Sequence, residues 1–205
     1  MKVENSLKQV REHLGVGDLS SAEMLIKKVL KKKSNNIDAL FLSGCIEFEK
    51  KNYNDAIQLF KKVLKNKPDH ETARQNLCVA LSESGKPEEA LPCLKKITDN
   101  QPGNYMAHYN LGNVYHELGK LVEAKASYER SMAINPAYTP IYNNLGLVHK
   151  QLGDVFNAEK YYRESISQKP SSEAYANLIT LLKTQDSPEA YFLALEVIKL
   201  SKPEG

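Results

Sequence analysis

Tryptophan is absent from this sequence, and only five phenylalanines stand against eleven tyrosines, so most of its aromatic surface carries a hydroxyl. No apolar run approaches the roughly 20 residues that a membrane-spanning helix needs, so no membrane insertion is expected. The first residues, MKVENSLKQVREHLG, show neither an unbroken apolar stretch nor a small-residue cleavage site, and no signal peptide is expected. An excess of one charge is lacking too. The 28 basic and 25 acidic residues leave a net +3, too little for bulk electrostatics to imply a nucleic-acid or membrane partner. Cysteine is limited to Cys45, Cys78 and Cys93, an odd number with no CxxC pair. That usage reads as a reduced, cytoplasmic protein with no structural disulfide and no zinc or other metal site.

Catalytic strings are missing as well. There is no phosphate-cradling glycine loop, HExxH, GxSxG or EF-hand pattern. The histidines (His13, His70, His108, His116 and His149) sit at separate places, and no base is identifiable beside Cys45. The expectation is that these 205 residues hold no catalytic residue and need no cofactor; they are not an enzyme.

What is present is a period of 34 residues. Leu77, Leu111 and Leu145 are one period apart, as are Pro68, Pro102, Pro136 and Pro170, and Ala56, Ala90, Ala124 and Ala158. The clearest unit runs from Tyr105 to Tyr138, YMAHYNLGNVYHELGKLVEAKASYERSMAINPAY, and IYNNLGLVHKQLGDVFNAEKYYRESISQKP repeats its skeleton. Tyr105, His108, Leu111, Gly112 and Tyr115 recur at helical spacing, which puts one stripe of a first helix against its neighbour. Gly112, Gly146, Gly44 and Cys78 are small where two helices approach closely. Gly17, Gly85, Gly119 and Gly153 end the first helix, and Pro68, Pro102, Pro136 and Pro170 stop the second. Thr139-Pro140 reads as a cap followed by Pro in the first turn.

These residues resemble the tetratricopeptide repeat, a helix–turn–helix unit with Leu-Gly in its first helix, Ala and an aromatic in its second, and a closing Pro. The resemblance implies an all-α, right-handed α-solenoid superhelix of about six units. A single array over 1–205 is expected, with units near 3–36, 37–70, 71–104, 105–138, 139–172 and 173–203, the first and last degenerate. The sixth unit has a shortened turn, KTQDSPEA, and the sequence ends at SKPEG without the polar closing helix such arrays often carry. Stacking of units gives a continuous core that one helix pair lacks.

In the family, first helices line a concave groove, which places residues two, five, six, nine, twelve and thirteen of each unit on it. The sixth residues of units three to five are Asn76, Asn110 and Asn144. A side-chain amide both donates and accepts, so such a ladder suits an extended polypeptide of any sequence. It is similar to the asparagine ladder in the tetratricopeptide arm of O-linked N-acetylglucosamine transferases, as are the strings YNLGNVY and YNNLGLVH. Gln75, Tyr109, Asn113, His116, Asn143 and Asn177 surround the ladder. Glu49, Glu83 and Glu117, followed by Gln151, form a second row that would favour a basic ligand. The carboxylate clamp of chaperone-binding relatives is incomplete: Asn113 and Asn144 fit, but Tyr109, Ala174 and Leu178 stand where cations are needed. Lys27, Lys28, Lys31, Lys32 and Lys33, then Lys61, Lys62, Lys65 and Lys67, read as solvated convex helix faces, without the aromatics that nucleic-acid stacking needs.

Three functions follow as expectations. The first is a scaffold that binds a protein or peptide ligand, extended along the groove. The second is the substrate-docking arm of a larger glycosyltransferase- or methyltransferase-type enzyme. The third is end-to-end self-association through uncovered terminal repeats.

Overall fold

The computed structural model describes residues 2–200, and every regular element among them is an α-helix. In chain order these are α1 (Lys2–Gly15), α2 (Leu19–Lys32), α3 (Ile37–Glu49), α4 (Tyr53–Asn66), α5 (Glu71–Glu83) and α6 (Pro87–Asn100). Then follow α7 (Tyr105–Glu117), α8 (Leu121–Ile134), α9 (Pro140–Gln151), α10 (Val155–Gln168), α11 (Ser172–Lys183) and α12 (Glu189–Leu200). Each first helix begins within one residue of the start that the 34-residue period predicts. The all-α reading and the helix pairs are therefore both found. The helices group into two compact halves, Met1–Ile97 and Thr98–Gly205.

Side-chain oxygens and one ring nitrogen start the helices. Asp18, Asn36, Asn104, Asp154 and Ser171 each accept a hydrogen bond from the backbone N–H three residues on, and His70 does so through Nδ1. Such caps satisfy donors that have no partner within the helix. Pro140 occupies the first turn of α9 as expected, but Thr139 makes no side-chain cap bond. Between the paired helices, Gly17, Gly85, Gly119 and Gly153 all have positive φ. The second repeat has Lys51 at this place with φ 62, so a side chain is tolerated there at some conformational cost.

In the second, fourth and fifth repeats the two helices meet at a lock. A Cβ on Gly112 would fall 2.5 Å from the Tyr128 ring, and Gly146 and Gly44 stand in the same relation to Tyr162 and Phe60. All three rings are buried, and each contributes about 1.5–3 kcal/mol of apolar burial. In the N-terminal half, Leu7, Val10, Ala22, Ile26, Val29, Leu42 and Ile46 build one core. In the C-terminal half, Tyr128, Ile141, Leu145 and Val148 build a second, and Tyr162, Leu178, Leu181 and Leu182 a third.

The third repeat departs from the lock and corrects the cysteine reading. Its glycine site holds Cys78 and its aromatic site holds Leu94. Cys78 and Cys93 are joined in a disulfide between α5 and α6, with Cα atoms 5.8 Å apart. The expectation of no structural disulfide is overturned. Sequence spacing hid the pair because the cysteines lie on different helices, 15 residues apart, and meet only when the helices fold back on each other. Cys45 stays free, and burial pushes its thiol up to about 11.

Candidate functional site

The groove residues named from the repeat register lie in both halves. On α5 of the N-terminal half are Gln75, Asn76 and Glu83. In the C-terminal half α7 carries Tyr109, Asn110, Asn113, His116 and Glu117, α9 carries Asn143 and Asn144, and α11 carries Asn177.

Asn144 is a hub. Its Nδ2 donates to Asn113 Oδ1 at 3.0 Å and to Tyr109 Oη at 3.2 Å, with Tyr128 Oη 3.4 Å away. Tyr128 Oη in turn donates to Asn113 Oδ1 at 2.7 Å. Position six of one repeat thus reaches position nine of the repeat before it. The N-terminal half has a weaker version, where Asn76 Nδ2 points at Cys45 Sγ at 3.6 Å. Two members of the asparagine row therefore have fixed partners inside the protein. Asn110 is half-buried on α7.

A second polar chain crosses from α9 to α11. Buried Asn143 donates to Glu173 Oε1 and accepts from Asn177 Nδ2, both at 3.0 Å. Beside these networks is a cleft of about 620 Å³, walled by Tyr109, Tyr138, Asn143, Asn144, Lys169 and Glu173. Tyr138 meets Tyr109 edge-on at 5.1 Å and Tyr105 at 5.4 Å, a favourable arrangement for aromatic quadrupoles. Burial first, then Tyr109 and Tyr105, raises the Tyr138 phenol above its ordinary value. It remains a protonated donor at neutral pH. The cleft thus offers flat aromatic walls, a polar wall of amides held by internal hydrogen bonds, and one exposed cation in Lys169.

The other named residues are elsewhere. His116 Nε2 sits 2.8 Å from Gln151 Oε1, tying the C-terminal ends of α7 and α9. Glu117 is exposed at the end of α7. Glu83 lines a separate cleft of about 420 Å³ with Lys51, Tyr53 and Asp55, and Glu49 lines a third of about 190 Å³ with Cys45 and Asn76. His149 is buried; its Nδ1 lies 3.0 Å from Asp154 Oδ2 while Nε2 has no partner. His13 pairs with Asp18 in the same way at 3.1 Å. Asp154 and Asp18 are held below the usual carboxylate range, chiefly by the side chains of Asn157 and Ser21, then by the backbone cap bonds from the same residues and by these histidines.

Sequence reasoning missed Tyr138, Lys169 and Glu173. Tyr138 is the last residue of its repeat and Glu173 opens the sixth, positions that a reading centred on first-helix faces passes over.

Comparisons with known proteins bear on the repeat fold. Descriptions of the tetratricopeptide repeat match residues 7–71, 47–111, 112–153 and 139–172. No curated protein sequence matches the chain. Among solved structures, PilW, a widely conserved type IV pilus biogenesis factor, superimposes with a TM-score of 0.87 at 20% identity, covering 100% of this chain and 96% of its own. A MamA fragment from Desulfovibrio magneticus RS-1 gives 0.73 at 21% identity, covering 83% and 97%. YrrB, a TPR protein with an unusual peptide-binding site, gives 0.66 at 19% identity, covering 88% and 90%. These superpositions show a shared fold.

Proposed function

Since the chain belongs to the tetratricopeptide repeat family, we propose that it is a protein-binding scaffold whose C-terminal half holds an extended polypeptide segment in the cleft at Tyr109 and Tyr138. The observation that carries this reading is the cleft itself. Its volume of about 620 Å³ is of the size that holds a side chain with its flanking backbone. The two tyrosine rings cover an apolar ligand side chain, a contact that aromatic residues make at low entropic cost. The amides of Asn143 and Asn144 are engaged with Glu173, Asn177, Asn113 and Tyr109, and so hold the polar wall of the cleft in place. The peptide-binding site of YrrB is support of the same kind, at the level of the fold. The cleft would serve equally in a free adaptor or in the docking arm of a glycosyltransferase- or methyltransferase-type enzyme.

The test is selection of a displayed peptide library on the full chain, followed by measurement of the enriched peptides against variants. Tyr109→Ala and Lys169→Ala are expected to weaken binding at least about 10-fold, the loss of roughly 1.4 kcal/mol, with helix content unchanged. Unchanged affinity in both variants would remove the cleft from the proposal. Replacing Asn144 is a poorer probe, because its amide also holds Tyr109 and Asn113 in place.

A further inference from the structure

A net charge of +3 conceals an uneven distribution. Residues 1–97 contain 18 Lys and Arg against 13 Asp and Glu, while residues 98–205 contain 10 against 12. Much of the excess stands on the second helices of the first three repeats. Lys27, Lys61 and Lys95 share one repeat position, and Lys28, Lys62 and Lys96 share the next. Lys31 and Lys65 follow one turn later, then Lys33 and Lys67. The segments 24–37, 56–68 and 90–98 contain no Asp or Glu at all.

The helices aim these lysines outward. The buried stripes are Ala22, Ile26 and Val29 on α2, Ala56, Phe60 and Val63 on α4, and Ala90, Leu94 and Ile97 on α6. The lysines at the shared positions occupy the opposite faces and are all exposed. Lys27 is bridged to Glu23 of its own helix. In the C-terminal half the first two positions hold Glu129–Arg130 and Arg163–Glu164, and Arg163 is bound by Glu159 and Glu189. The basic strip therefore belongs to the N-terminal half. Favourable placement at helix C-termini accounts for Lys31, Lys32 and Lys65, but that effect falls off beyond the last turn. Lys27, Lys28, Lys61, Lys62, Lys95 and Lys96 all precede the last turn of their helices.

We propose that this outer face of the N-terminal half docks on an anionic lipid bilayer. Three observations select that polyanion. The strip consists of lysine alone, and mobile point charges suit a diffuse surface, whereas bidentate phosphate or base recognition favours arginine. No exposed aromatic stands within it to stack on bases. The Cys78–Cys93 disulfide lies in the same half, and disulfides persist in oxidising compartments, where membrane faces rather than nucleic acids are the extended anionic surfaces. No helix among the described residues is long and apolar enough to cross a membrane, so the contact is superficial. Lysines near an anionic leaflet each add about five-fold to affinity, and several act together.

Co-sedimentation of the oxidised full chain with vesicles tests this. Phosphatidylcholine vesicles containing phosphatidylglycerol are expected to bind it, and phosphatidylcholine alone is not. Binding should weaken as salt rises, because the screening length shrinks from about 10 Å at 0.1 M to about 3 Å at 1 M. The combined variant Lys28→Gln, Lys31→Gln, Lys62→Gln, Lys65→Gln should lose at least 10-fold. A control with the same change in net charge, Lys120→Gln, Lys150→Gln, Lys160→Gln, Lys183→Gln, should stay within about two-fold, both keeping wild-type helix content. No binding to the anionic vesicles, or equal losses in the two variants, would overturn the proposal. Tighter binding to a DNA oligonucleotide than to the vesicles at equal salt would also overturn it and assign the strip to nucleic acid. The groove reading concerns another surface and is untouched by either result.

Discussion

Tyr128 and Tyr162 stand one repeat apart, each with its ring over the glycine of its own first helix, yet only the Tyr128 hydroxyl has a hydrogen-bond partner. The difference is readable one period along. Asn113 and Asn144, which surround the Tyr128 hydroxyl, are replaced in the next repeat by Leu147 and Leu178. The fifth repeat kept the ring that fills the lock and lost the polar shell around its oxygen.

Opposite outcomes follow for the same substitution at the two sites. Tyr162→Phe removes a buried, unpaired hydroxyl and should raise stability by about 1 kcal/mol, while Tyr128→Phe breaks a satisfied network and should lower it by about 1 kcal/mol. Urea denaturation of the two variants beside wild type measures both. A larger loss in Tyr162→Phe than in Tyr128→Phe would mean that the Tyr162 oxygen has a partner after all.

Gly112→Ala should cost about 1–3 kcal/mol through overpacking, because the new methyl would sit 2.5 Å from the Tyr128 ring. The third repeat indicates the remedy, since it carries a side chain at the glycine site together with Leu94 instead of an aromatic. Gly112→Ala combined with Tyr128→Leu should therefore lose less than the sum of the two single changes. Strict additivity in a double-mutant cycle would argue against direct contact as the cause.

The 34-residue period made the helix starts, turn glycines and glycine locks legible, because each depends on spacing within one repeat. What it could not give was which particular side chains bond to one another across packed helices. Cys78 and Cys93 meet across a helix pair, and a count of three cysteines with no CxxC string hides them. The amide row illustrates the same limit. Asn144 was readable as a groove residue from its register, but its bonds to Tyr109 and Asn113 require the packing of adjacent repeats. Tyr138 and Glu173 lie where one repeat passes into the next, so a reading bounded by repeats leaves them out of the cleft.

Reducing the disulfide should destabilise the N-terminal half by about 3 kcal/mol, the loop-closure value for the 15-residue separation. Chemical denaturation with and without reductant, with Cys78→Ala/Cys93→Ala as the second arm, checks it; equal midpoints would deny the bond any part in stability. In the folded, unreduced chain Cys45 should alkylate slowly. Its thiol is pushed up to about 11 by burial, which near neutral pH leaves about 300-fold less thiolate than a free cysteine of ordinary acidity has.

Alkaline pH should unfold the chain before mild acid does, and the lock tyrosines set the window. Burial pushes the Tyr162 phenol up to about 12, and Tyr128 is raised further, mainly by burial and then by Tyr109. An unfolded tyrosine ionises near pH 10. Below that value both states keep the proton, and the stabilisation is fully present. As pH rises from about 10 toward 12 the unfolded chain releases protons that the folded chain retains, so stability falls with pH. Guanidinium midpoints measured across this range should drop for wild type and drop less steeply for Tyr162→Phe, which has one such group fewer. Parallel slopes in the two proteins would mean that Tyr162 ionises in the folded state as readily as in the unfolded one, and that its ring is wetter than the lock implies.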